Sequence, residues 1–245
     1  MLDLWTVTKE AYLFAFRSKK LHQFFIIFLL IHFILIIFTS AFSDLFPVSR
    51  LLNILSALPF LTVFKTDDPF VETGFRPYLN TFKQPALWYG TGIIFFGFLP
   101  LYLFGTFLMS LRGYFFSFSN SVYLGHATTI IMVVILPYLF AKLSLALPHA
   151  VINCTLNPLK AWGLSKQRLL KVIACLTLGG LPSAAFTFFI EQEHVRNSLM
   201  TFLDFLTPQL FLGNIFILMI HGIYYFSYIF LLSSLFHLYQ DLQSS

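Results

Sequence analysis

Four polar side chains interrupt long apolar stretches of this 245-residue chain, and they are its first candidates for chemistry. They are His32, Lys142, Asn214 and His221. Where such a stretch crosses a bilayer, a charge at its centre costs at least ~2.5 kcal/mol, so polar groups there often serve a function. Two histidines could relay protons, but a neutral histidine can also be buried with one hydrogen-bond partner. We expect packing roles for His32 and His221 and an interfacial anchor in Lys142, and Asn214 is the remaining intramembrane polar candidate.

Fragments of enzyme motifs occur in the chain, but each is incomplete. Glu191-Gln192-Glu193-His194 lacks the second histidine of a zinc-binding H-E-x-x-H helix. Ser165 lacks the flanking glycines of a nucleophile elbow. We therefore predict a non-enzymatic protein with no catalytic residue, no metal and no cofactor.

The composition excludes a soluble globule. Hydrophobic residues make up 58% of the chain and charged residues 10%, against about a quarter charged in an ordinary soluble domain. Aromatic residues, at 19%, argue against disorder. The formal net charge is +5, but the basic residues form no compact stripe of the kind that nucleic acid requires. We therefore expect membrane lipids, and not nucleic acid, as partners.

The apolar stretches set the architecture, because spanning about 30 Å of hydrocarbon takes about 20 mostly apolar residues. The chain is predicted to be an all-α polytopic membrane bundle in a single domain, residues 1–245. Six spans are predicted at Leu21–Phe42, Phe46–Phe64, Ala86–Met109, Ala127–Pro148, Val172–Ile190 and Gln209–Tyr239. The second is the weakest, since it contains Arg50, Asn53 and Pro59 and could also be an interfacial helix.

Charge favours six spans over five. With six spans and the N-terminus inside, only Arg50, Arg112 and Arg196 of the 15 Lys and Arg residues lie outside. Without the second span, the basic loops at 65–83 and 160–171 would lie outside. We therefore predict that both termini are cytoplasmic. A cleaved signal peptide is the alternative for the first span, but its apolar run exceeds the usual length of about 7 to 15 residues.

Two amphipathic helices are predicted on the inner face. The first runs from Asp3, a suitable N-cap, to Lys20. Its apolar side carries Leu4, Val7, Ala11, Phe14 and Ala15. Such a helix lies flat in the lipid interface, although an extension of the first span is the alternative. The second begins at Asn157-Pro158, an N-cap followed by proline at the first helical position, and runs to Arg168.

Basic residues near these helices form a predicted collar for acidic phospholipid headgroups. The candidate residues are Lys19, Lys20, Lys160, Lys166, Arg168 and Lys171. Each basic residue near an anionic leaflet is worth on the order of 1 kcal/mol. The alternative is that these charges only enforce the orientation of the spans.

Small residues and prolines predict how the spans pack. Gly179 and Ser183, and likewise Gly180 and Ala184, are four residues apart in the fifth span, which lets a neighbouring backbone approach closely. Prolines 59, 100, 137 and 182 fall in four different spans, and each removes one backbone donor. Their kinks could open a cavity or simply be structural.

Two central segments carry a family resemblance. They are Lys142-Leu143-Ser144-Leu145-Ala146-Leu147-Pro148 and Asn157-Pro158-Leu159-Lys160-Ala161-Trp162-Gly163-Leu164-Ser165-Lys166. They resemble the fourth-helix exit and following basic helix of the bacterial YciC-like inner-membrane proteins and of the membrane domain attached to some glycerophosphoryl diester phosphodiesterases. Residues 12–17 and 235–239 resemble the ends of YciC-like chains, so the likeness covers the whole length. It implies a six-helix bacterial inner-membrane protein without catalytic residues.

Two functional hypotheses follow. The first is a non-enzymatic inner-membrane protein that contacts acidic phospholipid and acts in envelope maintenance, as a partner of another membrane protein or as a homo-oligomer. The second is a translocator of lipid or a small molecule through the proline-kinked bundle. The second requires a continuous cavity lined by His32, Asn214 or His221. No span contains Asp or Glu, which disfavours a proton-coupled or cation-coupled carrier.

Overall fold

The computed structural model describes residues 3–41, 55–64, 75–117, 122–166, 168–206 and 210–244, and these residues form helices and no strand. The helices in chain order are α1 Leu4–Arg17, α2 Lys19–Ala41, α3 Phe60–Val63, α4 Phe75–Asn80, α5 Pro85–Ile93, α6 Leu99–Ser117, α7 Val122–Ile130, α8 Leu136–Ser144, α9 Ala146–Asn153, α10 Pro158–Lys166, α11 Leu169–Glu191, α12 Glu193–Leu206 and α13 Leu210–Ser244. The predicted all-α fold class is thereby confirmed.

Five helical stretches in the described part of the chain are long and apolar enough to cross a membrane. They are Lys19–Ile37, Pro85–Phe116, Tyr123–Asn153, Leu169–Glu191 and Leu212–Ser244. They overlap the five clearest predicted spans. The remaining predicted span is the second, Phe46–Phe64. Its residues 46–54 lie outside the described residues, and the rest is a helical turn at 55–57 followed by Pro59 and α3. This second crossing and the side of the membrane on which the termini lie therefore stay predictions.

The first amphipathic helix is a separate element from the first span. Asp3 caps α1 as predicted, since its Oδ1 accepts a hydrogen bond from the Thr6 backbone N–H at 2.6 Å. Ser18 then has extended backbone angles, φ −70° and ψ 103°, which end α1 before α2 begins. Thus α1 is not a continuous extension of α2.

The apolar side of α1 packs against protein instead of lipid, which differs from the sequence prediction. Val7, Ala11 and Ala15 are at most 1% exposed. The hydroxyl of Ser233 in α13 donates to the Ala11 carbonyl at 2.8 Å, and the Tyr12 hydroxyl donates to the Leu178 carbonyl in α11 at 2.6 Å. The same 3.6-residue periodicity that would suit a lipid interface here covers two neighbouring helices.

Both ends of the chain meet at one end of the bundle. The Phe14 ring lies 5.5 Å from the His237 ring. A Cβ on Gly90 of α5 would lie 2.7 Å from a methyl of Val151 in α9, so these two helices approach closely. We call this the terminal end: α1, residues 19–25 of α2, α3 to α5, residues 145–166, which include α9 and α10, and residues 229–244 of α13. Most fully buried side chains of the described residues belong to it.

The chain returns to the terminal end between α2 and α4. The 23 residues of α2 extend over about 34 Å, which carries Ala41 far from the terminal end. Tyr78 of α4 is nevertheless back beside Phe24, in the second turn of α2, with ring centroids 5.2 Å apart. Within the described part of the second predicted span, Phe60 contacts the Phe28 ring at 5.8 Å.

Two of the intramembrane prolines follow a widened helical turn. π-helical turns occupy Ile94–Phe98, between α5 and α6, and Ile131–Ile135, between α7 and α8. Each ends two residues before a proline, Pro100 or Pro137. The proline ring would clash with the carbonyl four residues back in a regular α-helix, and a wider turn relieves that clash. Pro182, by contrast, lies inside the continuous helix α11.

The regions predicted as outer loops are more helical than expected. Helix α6 continues to Ser117, beyond the predicted span end at Met109. The predicted loop Glu191–Pro208 contains α12, which packs on α13 through the Phe202 and Phe216 rings at 4.9 Å. Hydropathy detects the apolar length of a span and not the helix that continues beyond it.

Candidate functional site

The structure brings together two of the three intramembrane polar candidates. Nε2 of His32 in α2 lies 2.9 Å from Nδ1 of His221 in α13. One of these two nitrogens must therefore carry a hydrogen and donate a hydrogen bond to the other. His32 is 3% exposed, and His221 is half-buried. The pair links the first and last candidate spans near the middle of α2.

Aromatic rings enclose the histidine pair. Phe28 stacks on the His32 ring with centroids 5.8 Å apart. The Tyr225 ring lies at a steep angle to both imidazoles, with its centroid 5.6 Å from that of His32 and 6.2 Å from that of His221. Asn214 is half-buried seven residues before His221, about 10 Å away along the helix axis, so it does not belong to the pair. The hydrogen bond between the two rings joins α2 to α13.

Four cavities of the described helices do not include the histidine pair in their lining. Four cavities between described helices have volumes of about 640, 690, 100 and 470 Å³. None of the four is lined by His32, Asn214 or His221. The feature on which the translocator hypothesis depends is therefore not found among them.

The predicted lipid-headgroup residues divide into exposed and engaged groups. Lys19, Lys160 and Lys166 are exposed at the terminal end. Lys20 is half-buried, with its ammonium 5.7 Å from the centre of the Phe24 ring, and Arg168 is also half-buried. Of the six predicted residues, the structure thus leaves Lys19, Lys160 and Lys166 exposed.

Lys171 has a protein partner that sequence analysis did not identify. Its Nζ lies 2.8 Å from Oδ2 of Asp241, and the two side chains are 15% and 5% exposed. The ion pair joins the start of α11 to the end of α13. Asp241 follows the last apolar stretch directly, which was the available signal, but no sequence rule pairs it with a lysine 70 positions away.

A polar network around the buried Tyr239 hydroxyl at the terminal end was not predicted from the sequence. The Tyr239 hydroxyl lies 2.6 Å from His149 Nδ1 and accepts hydrogen bonds from Asn153 Nδ2 at 2.8 Å and Gln243 Nε2 at 2.6 Å. Since the hydroxyl already accepts two bonds, its proton is directed to Nδ1, and His149 carries its own proton on Nε2. His149 and Asn153 are four residues apart on one helix face, which was the only signal available. The network fastens the end of α13 to α9.

The small residues of the fifth predicted span lie on two different faces. Gly179 and Ser183 are buried, and a Cβ on Gly179 would lie 2.8 Å from the Ser234 hydroxyl oxygen of α13. Around Gly180, a Cβ would meet nothing within 4 Å, and Ala184 is exposed. One pair thus packs α11 on α13, and the other faces outward.

Lys142 is covered, although the sequence predicted a side chain reaching the interface. It is 3% exposed. Its ammonium lies 5.7 Å from the Tyr138 ring centre and 5.9 Å from that of Trp162 in α10, distances typical of cation–π contacts. No ion pair links Lys142 to any residue that the structure describes.

Two groups outside the candidate spans have shifted pKa values with clear causes. The hydrogen bond from the Thr6 N–H lowers the pKa of the Asp3 carboxyl, because it favours the charged form. Burial raises the pKa of the Tyr78 phenol, whose hydroxyl donates to the Ser56 carbonyl. The Asp3 contact caps α1, and the Tyr78 contact joins α4 to the helical turn at 55–57.

No family model, no curated protein and no solved structure matches this chain. The YciC-like resemblance therefore rests on the sequence segments quoted above.

Proposed function

We propose that this chain is a non-enzymatic integral protein of the bacterial inner membrane, of the YciC-like type, which contacts acidic phospholipid through its terminal end. It would act in envelope maintenance or as a partner of another membrane protein. The observation that carries this proposal is the placement of exposed Lys19, Lys160 and Lys166 at one end of a bundle that contains five apolar helices of membrane-spanning length. Exposed Lys9 and Arg17 of α1 add to the charge of the same end.

The proposal includes six crossings with both termini in the cytoplasm. Its support is the return of the chain to the terminal end between Ala41 and Phe75, which a further crossing would provide. The concentration of basic residues at that end agrees with the positive-inside rule. Arg112 and Arg196, which the prediction places outside, are exposed in α6 and α12, away from the terminal end.

Accessibility of introduced tags tests the orientation. Tags before Met1 and after Ser245 should be reachable only from the cytoplasm, and a tag within residues 191–208 should be reachable from outside. The opposite labelling pattern would overturn the topology and, with it, contact between this end and the inner leaflet.

Native mass spectrometry tests the lipid contact. The double variant Lys160→Gln/Lys166→Gln should lose phosphatidylglycerol adducts, since two charges near an anionic surface are worth about 2 kcal/mol, or about thirtyfold in affinity. The matched control Arg112→Gln/Arg196→Gln removes the same charge from the other part of the bundle and should leave the adducts unchanged. Equal adducts in both variants would refute the lipid contact.

A further inference from the structure

The Lys142 side chain is almost fully covered, and no carboxylate of the described residues neutralises its charge. The side chain is 3% exposed, and its ammonium faces the Tyr138 and Trp162 rings. No carboxylate of the described residues forms an ion pair with it. An ammonium at the end of so covered a side chain is poorly hydrated and gains from an anionic partner, so this position favours a negatively charged ligand.

The position of Lys142 along its helix is compatible with the headgroup level of one leaflet. It lies 19 residues after Tyr123, where the candidate span begins, and at 1.5 Å per residue this is about 28 Å. The hydrocarbon core is about 30 Å thick. Trp162, half-buried beside the ammonium, is a residue type enriched at the membrane interface.

Apolar grooves lie on both sides of this part of α8. One, of about 640 Å³, is lined by Leu143 together with Ile93 and Pro100. The other, of about 690 Å³, is lined by Ala141 together with Thr106 and Leu176. The residues immediately before and after Lys142 thus belong to different grooves. Each groove has a volume within the range of about 300 to 1,000 Å³ that ligand sites have.

The widened turns help to shape these grooves. Pro100 lines the first groove and Pro137 the second, and each follows a π-helical turn by two residues. Leu101 lines both grooves, so they meet at α6. Together the grooves form a forked apolar surface. Lys142 lines neither groove, but its neighbours Ala141 and Leu143 line one each, so its backbone lies between the two branches.

We propose that Lys142 binds the phosphate of one anionic diacyl phospholipid, whose two tails lie in the two grooves. This inference deepens the proposed lipid contact and rests on it, but it assigns a single site distinct from the exposed lysines. The charge selects an anionic headgroup, and two apolar branches fit two acyl tails. The flexible four-carbon stem of lysine lets the ammonium leave the rings for the phosphate, and Trp162 then covers the headgroup.

Native mass spectrometry of the full delipidated chain in detergent tests the site, with phosphatidylglycerol and phosphatidylcholine of identical tails as probes. In Lys142→Met, the affinity for the first phosphatidylglycerol should fall about tenfold or more, the change expected for one charge-assisted hydrogen bond. Lys142→Arg should retain it. The control Lys83→Met removes an exposed lysine at the same end and should leave the first adduct unchanged. Wild-type affinity in Lys142→Met would overturn the site.

The groove is tested independently of the charge. Thr106 is exposed and lines the second groove, so Thr106→Phe should fill it and weaken the first phosphatidylglycerol adduct. The matched variant Leu103→Phe adds a ring of similar size at an exposed position of α6 that lines neither groove and should bind as wild type. Equal binding by these two variants would overturn the placement of the tails. This test does not depend on whether Lys142→Met folds.

The outcomes separate this site from the proposed function. Loss of the first adduct in Lys142→Met, with later adducts intact, supports the site. Loss of later adducts only, in Lys160→Gln/Lys166→Gln, supports the general contact. Inorganic phosphate should not displace the first phosphatidylglycerol, because it lacks tails; displacement would contradict the two-groove site while leaving the general contact standing.

Discussion

The terminal end and the distal part of this bundle are packed in opposite ways. At the terminal end, Leu145 and Leu238 are fully buried. In the distal part, which comprises α6, α7, α12 and residues 180–191 of α11, Tyr123 is 89% and Phe188 68% exposed. The same kinds of apolar residue occur in both regions, so hydrophobicity alone does not determine where the helices pack closely.

Polar contacts and small residues account for the difference. In lipid, apolar surface gains little by moving from lipid to protein, so helices associate through close packing and interhelical hydrogen bonds. The terminal end has the Ser233 to Ala11 bond, the Lys171 and Asp241 ion pair and the Tyr239 network. The distal part offers mainly apolar surface, which lipid can cover.

The largest expected effect compares one phenylalanine from each region. Phe236 is 1% exposed and stacks on Phe64 at 4.8 Å, so Phe236→Ala should lower the free energy of unfolding by about 3 kcal/mol, as core truncations do. The matched variant Phe188→Ala removes an exposed ring and should change it by less than about 0.5 kcal/mol. Unfolding in detergent by SDS titration measures both. Equal losses would refute the contrast between the two regions.

Close helix packing is probed by two adjacent glycines. Gly179→Leu should cost about 2 to 3 kcal/mol of unfolding free energy, as overpacking does, because its side chain must displace Ser234 and the backbone at Leu231. Gly180→Leu meets open space and should be nearly neutral. The same titration compares them, and a neutral Gly179→Leu would show that α11 and α13 do not pack as described.

The ion pair of the terminal end should contribute less. Lys171→Met should destabilise by about 2 kcal/mol, because it removes the cation from the buried Asp241 carboxylate. The double variant Lys171→Met/Asp241→Leu should recover most of that loss. A double-mutant cycle with no coupling would mean that the two side chains do not interact in the folded protein.

The histidine pair should give the smallest effect. His221→Phe removes one hydrogen bond and should cost about 1 kcal/mol. His32→Phe/His221→Phe replaces both partners by apolar rings and should lie closer to wild type than the sum of the single variants. His126, outside the pair in α7, provides the control His126→Phe. An additive double variant would indicate that His32 and His221 do not form the contact.

The capping residues of two helices, which are signals between near neighbours in the chain, were predicted correctly from the sequence. Asp3 was predicted to cap α1, and Asn157 to precede α10, where its Oδ1 accepts a hydrogen bond from the Lys160 N–H at 3.3 Å. These signals involve residues three apart, whose geometry a helix start dictates. Contacts between distant segments were not predictable in this way, as the Lys171 and Asp241 pair shows.

The sequence by itself determined the helical class, five apolar stretches of membrane-spanning length and the caps of two surface helices, because periodicity, hydropathy and capping are local properties. Only the tertiary structure decided which side of α1 meets protein, which of Gly179 and Gly180 faces α13, and that His32 meets His221. Those outcomes depend on the relative rotation and depth of helices far apart in the chain. In an almost uniformly apolar sequence, hydrophobic patterning carries little information about either.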